Sequence, residues 1–146
     1  MGVKYINDAL TDYCRRILLA REDRIYRVSP NYGIEGTFLQ GYLEGITYAE
    51  LCELFSEPTT EYGYKTRACW TIVVELPDYK WEEVRSFPLS GNYYVITIYD
   101  WKQSSIPLNE VEHWNIGGHS WFAPILLDLF FEDKGVTFNN KQTTEV

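Results

Sequence analysis

Two histidines, His113 and His119, stand six residues apart on either side of Gly117-Gly118, and they are the only imidazoles in the 146-residue chain. An imidazole titrates near neutral pH and serves as a general base, and beside a serine or cysteine it would activate a nucleophile. No nucleophile signature accompanies either ring, and two histidines at this spacing without a neighbouring Cys or Asp/Glu cluster fit no usual metal-ligand pattern. The expectation is therefore a protein that is not an enzyme, with no catalytic residue, no metal and no cofactor. Three cysteines, Cys14, Cys52 and Cys69, are an odd number without C-x-x-C spacing and sit among apolar neighbours. They read as buried free thiols in a reducing compartment.

A second kind of chemistry is anion binding. Glycine amides placed just before a helix can hold a phosphate, and Ile116-Gly117-Gly118-His119-Ser120 has that form, although it lacks the lysine of a P-loop. Gly117, Gly118, His119 and Ser120, with Trp101 as a stacking surface, make a candidate site for a sequestered signalling nucleotide. The aromatic set Tyr62, Tyr64, Trp81, Tyr93, Tyr94, Trp101, Trp114 and Trp121 exceeds what one core usually absorbs, which leaves rings for a base or a protein interface.

The third kind is charge. The formal net charge is −8, spread unevenly. Residues 1–30 carry a surplus of two positive charges, whereas residues 31–146 carry seven Lys/Arg against seventeen Asp/Glu. A body this acidic excludes sequence-independent binding of DNA or RNA through phosphates, which needs a clustered basic surface. It suits a partner that is itself basic, such as a host nucleic-acid-binding enzyme. Glu50, Glu53 and Glu57 recur at i, i+3, i+7 as a compact negative row, and Glu61, Glu82 and Glu83 extend the acidic candidate surface.

These groups are positioned by elements that the chain announces in order. Asn7 or Asp8 caps an expected helix with Leu10, Tyr13, Cys14, Ile17 and Leu18 at helical spacing, ending before Ser29-Pro30. Its basic flanks suit an acidic partner or a symmetry mate in a homodimer. Thr37–Glu44 reads as a strand, with Phe38 and Tyr42 on one face and Leu39 and Leu43 on the other. Thr47 and Glu50 form a capping box that starts a helix running to Phe55, and Pro58 stops it. Strong alternation around Trp70 and again over Tyr93–Trp101 predicts two strands that pair antiparallel, with Tyr93, Val95, Thr97, Tyr99 and Trp101 on one face. His113–Ile116 is a short strand ending at Gly117-Gly118, and Ser120 caps a last helix to about Phe131, with Gly135 as its stop.

The whole is expected to be one α+β domain, with an antiparallel sheet of about four strands packed by the short capped helix and flanked by N- and C-terminal helices. Residues 1–35 supply the first helix and loop, 36–118 the core sheet and helix, and 119–146 the last helix and tail. No signal-peptide pattern and no apolar run of about 18 residues appears, so the expected location is the cytoplasm, away from membranes.

At GYKTRACW, ITIYDWK and HWNIGG the chain resembles a family of small proteins common in tailed bacteriophages. The matching positions include Leu51, Phe55, Pro58, Gly63, Tyr64, Lys65, Thr66, Trp70, Ile98, Tyr99, Asp100, Trp101, Lys102, Trp114, Ile116, Gly117 and Gly118. The resemblance implies the context of an anti-CRISPR or other anti-defence protein acting in the host cytoplasm. Joined to the charge, it leads to the expectation of a non-enzymatic inhibitor that occupies the basic site of a CRISPR effector or similar enzyme through its acidic surface. The alternative is a small-molecule binder that sequesters a signalling nucleotide.

Overall fold

Alternating apolar residues over Cys69–Glu75 and Tyr93–Tyr99 build the centre of a twisted sheet, pairing in full register from Cys69 opposite Tyr99 to Glu75 opposite Tyr93. The structure is a computed structural model that describes residues 2–5, 25–28, 37–59, 66–75, 93–103, 105–118, 122–136 and 138. In chain order the elements are β1 (Gly2–Tyr5), β2 (Ile25–Val28), β3 (Phe38–Glu44), α1 (Tyr48–Phe55), β4 (Cys69–Glu75), β5 (Tyr93–Tyr99), a 3₁₀ turn (Leu108–Glu110), β6 (His113–Gly118) and α2 (Phe122–Lys134). All six strands join one antiparallel sheet in the order β1-β3-β6-β5-β4-β2, curled into a half-barrel.

The expectation of about four strands between N- and C-terminal helices is therefore overturned. Both edges of the sheet come from the segment expected to be the N-terminal helix and loop: β1 lies on Gly41–Glu44 of β3 and β2 on Ile72–Glu75 of β4. Four-residue strands carry too little periodicity to be seen alone, and their hydrogen-bonding partners lie about 40 residues away in sequence. The helix expected around Leu10–Leu18 falls outside the described residues. Among the described residues the α-helices are α1 and α2.

The core lies on one face of the sheet. Trp70, Ile72 and Val74 of β4, Tyr94, Ile96 and Ile98 of β5, and Trp114 and Ile116 of β6 meet Ile125, Leu126, Leu127, Leu129, Phe130 and Phe131 of α2. α2 is apolar nearly all round because it is buried nearly all round. It ends where expected, at Gly135, whose φ of +65° a glycine adopts without strain.

α1 begins at the capping box read from the sequence. Thr47 Oγ1 accepts from the Glu50 amide while Glu50 Oε1 accepts from the Thr47 amide. Two tryptophans then fasten the helix to the sheet by its ends: Trp114 Nε1 donates to the carbonyl of Ile46 and Trp70 Nε1 to that of Ser56. Their rings meet edge to face, 5.4 Å apart.

Candidate functional site

The opposite face is set by the other half of each alternation and by one irregularity. The register between β3 and β6 slips between Leu39 and Gly41, a β-bulge that brings Leu39 and Tyr42 to the same face, opposite Gly117 and Asn115. This corrects the expectation that Leu39 and Tyr42 point apart, since uninterrupted alternation would separate them.

Leu39 and Tyr42 of β3, Tyr99 of β5, His113 and Asn115 of β6, and Trp101 and Gln103 of the following turn enclose an open groove of about 650 Å³. That volume lies within the range of about 300–1,000 Å³ typical of small-molecule sites. Tyr99 and Trp101 meet edge to face at 6.3 Å, and the Tyr42 and His113 rings lie 5.2 Å apart. The carboxylate of Glu44 stands 3.0 Å from His113 Nδ1. Asn115 hydrogen-bonds the Tyr99 hydroxyl, and burial raises the Tyr99 pKa above that of a free phenol. Trp101 keeps 43% of its surface exposed.

A buried carboxylate holds this wall in place. Asp100 is fully buried, and its Oδ1 accepts from the amides of Arg67 at 2.8 Å and Ala68 at 2.9 Å. Its Oδ2 takes Nε of Arg67 at 3.0 Å. The same guanidinium donates through Nη2 to the carbonyl of Gln103, and Gln103 Nε2 donates to the carbonyl of His113. The turn after β5 is thus tied to the start of β4 and the start of β6, with Trp101 and Lys102 held between the ties. Lys102 has a φ of +56°, and its Nζ lies 5.8 Å from the Trp101 ring centre.

Beyond Tyr99 the face continues into a smaller cavity of about 180 Å³ lined by Thr37, Phe38, Thr66, Cys69, Thr97 and Gly117. Burial pushes the Cys69 thiol up to about 12, so it stays protonated and unreactive at neutral pH. Cys69 is buried and Cys52 half-buried, both free; Cys14 lies outside the described residues.

The described residues include part of each of the two sites expected from sequence. Glu50 is engaged in the cap of α1, and Glu53 and Glu57 are exposed, the latter beyond the helix end at Ser56. Glu61, Glu82 and Glu83 lie outside the described residues. Gly117 and Gly118 are strand residues rather than a turn. A Cβ on Gly117 would stand 2.4 Å from Thr97 Oγ1, and one on Gly118 2.5 Å from Ala123 Cβ, so close packing explains both glycines. His119 and Ser120 lie outside the described residues. Of the described residues of that set, Trp101 lines the groove and Gly117 the smaller cavity beside it. Tyr94 and Trp114, counted among the surplus aromatics, are core. Tyr42, Tyr99, Gln103, His113 and Asn115 were not read as one site. The shared face of Tyr99 and Trp101 was the available signal, and the bulge that recruits Tyr42 has none.

Among the described residues no three His, Cys, Asp or Glu side chains converge as for a metal ion, and no helix is long and apolar enough to cross a membrane. Comparison with known protein families, curated proteins and solved structures finds no match.

Proposed function

We propose that this protein is a non-enzymatic binding protein that holds a planar, ring-bearing small molecule, of the kind a signalling nucleotide presents, in the groove between β3, β6 and β5. The observation that carries this is the convergence of Tyr42, Tyr99 and Trp101 with the amides of Asn115 and Gln103 around one open volume. Aromatic faces stack on a base, and side-chain amides offer the donor and acceptor pairs that a base edge needs. Among the described residues, the groove lining includes no serine or cysteine for His113 to activate. Residues of the phage-like motifs divide in a way that supports the reading: Trp70, Ile98, Trp114 and Ile116 pack the core, while Tyr99 and Trp101 line the groove. In a phage setting, sequestration would deprive a host defence of its signal. Isothermal titration calorimetry with nucleosides and their phosphates tests this directly. Saturable heat that Trp101→Ala weakens by about tenfold or more supports it, since stacking on one aromatic contributes about 1–3 kcal/mol. Absence of heat with every nucleoside and nucleotide tried sinks it.

A second reading, inhibition of a basic nucleic-acid-directed enzyme such as a CRISPR effector, is supported by a different surface. α1, which carries the exposed Glu53 and is followed by the exposed Glu57, packs beside the 3₁₀ turn that carries the exposed Glu110. Salt-sensitive co-elution with a Cas nuclease supports this reading, and unchanged cleavage by several effectors in excess protein removes it.

A further inference from the structure

We propose that Lys102 is a ligand-binding residue whose ammonium group holds a phosphate ester carried by the ring-bearing molecule in the groove; this rests on the small-molecule reading above. Two described non-glycine residues have a positive φ, Ser56 at +67° and Lys102 at +56°. Ser56 has a structural reason: it terminates α1, its amide donates to the carbonyl of Cys52, and its own carbonyl receives the indole of Trp70. Lys102 has no comparable one. Its side chain is exposed, and the contact it makes is with the ring of Trp101. A left-handed backbone disfavours a residue with a Cβ, and glycine or asparagine would sit there at less cost. A long cationic side chain kept in such a conformation marks a functional constraint when the surroundings over-determine it. The surroundings do so here, with Asp100 locked on one side and Gln103 on the other.

Charge points the same way. Arg67 is committed to Asp100 and to the carbonyl of Gln103, and His113 faces the carboxylate of Glu44. The Lys102 ammonium stands over a wall residue of the groove. A base stacked against Trp101 would therefore carry its phosphate toward Lys102, in a protein whose overall charge of −8 otherwise repels anions.

The test is calorimetric titration of the wild type, Lys102→Gly and Lys102→Arg with adenosine, guanosine and their 5′-monophosphates at low salt. The wild type is expected to prefer each monophosphate to its nucleoside by about tenfold, the size of one charge-assisted hydrogen bond. The preference should vanish in Lys102→Gly and return in Lys102→Arg. Lys102→Gly should melt no lower than the wild type, so lost preference cannot be ascribed to unfolding. Equal binding of nucleoside and monophosphate by the wild type, or a phosphate preference that survives in Lys102→Gly, overturns the role of Lys102 while leaving the groove reading intact. Failure of the wild type to bind any of the four compounds overturns both.

Discussion

On the helix-covered face Trp70 and Trp114 are sealed, each donating its indole N–H to a carbonyl at one end of α1, whereas on the opposite face Trp101 leaves 43% of its surface in solvent. The same strands feed both faces by simple alternation: Ile98 goes inward and Tyr99 outward, Trp114 inward and Asn115 outward. What separates a packing aromatic from a binding one here is whether the fold has used up its surface. Residue type says nothing about it, since both faces are rich in rings.

Substitutions on the two faces should therefore fall into different classes of effect. The largest is Trp114→Ala, which removes a fully buried ring and the donor that fixes Ile46, and should destabilise the fold by about 3–5 kcal/mol in chemical denaturation. A loss below about 1 kcal/mol would show that α1 is not fastened in this way. Next is Asp100→Ala, which leaves the amides of Arg67 and Ala68 without an acceptor and the Arg67 guanidinium without a carboxylate, at a cost of about 2–4 kcal/mol. It should also abolish groove binding under conditions where the protein is still folded, because the turn carrying Trp101 loses its anchor.

A smaller effect, about 1.4 kcal/mol at pH 10, appears at alkaline pH. The native Cys69 thiol is pushed up to about 12 while the unfolded thiol keeps its ordinary value near 9, so the native state holds the proton longer. Stability is then fully present below about pH 9 and falls as pH rises toward 12, by up to about 1.4 kcal/mol per pH unit. Urea titrations of the wild type and Cys69→Ala should diverge over that window, with the wild type losing stability faster. Burial of Tyr99 acts in the same direction at somewhat higher pH. The smallest stability effect is expected of Trp101→Ala, within about 0.5 kcal/mol of the wild type, together with the largest effect on ligand affinity. A large loss of stability there would erase the distinction between the faces.

The elements nearest the groove were legible where local chemistry decides them. The capping box Thr47/Glu50, the paired strands β4 and β5, the strand ending at Gly117-Gly118 and the stop at Gly135 stand as read. Residues 25–28 fall within the expected helix because Ile-Tyr-Arg-Val is too short to show its own period against a helical prefix, and its ladder with Ile72–Glu75 makes it a strand. Of the acidic row, Glu50 is engaged in the cap that the Thr47/Glu50 spacing announces, while Glu53 and Glu57 stay exposed. The groove escaped because it is assembled by cross-strand register. Tyr42, Tyr99, Trp101 and His113 come from widely separated stretches, and a one-residue bulge decides whether Tyr42 faces them.

The strand order has a temporal consequence. β1 and β2, made before the other described strands, sit at the two outer edges, and their templates β3 and β4 follow about 40 residues later in the chain. The middle of the sheet closes only when β6 is made, because that strand joins β3 to β5. During synthesis the N-terminal segment must therefore wait, undocked, for an interior that does not yet exist. Folding is expected to be slow and largely post-translational, with both edges of the half-barrel sealed last by strands that were made before their templates.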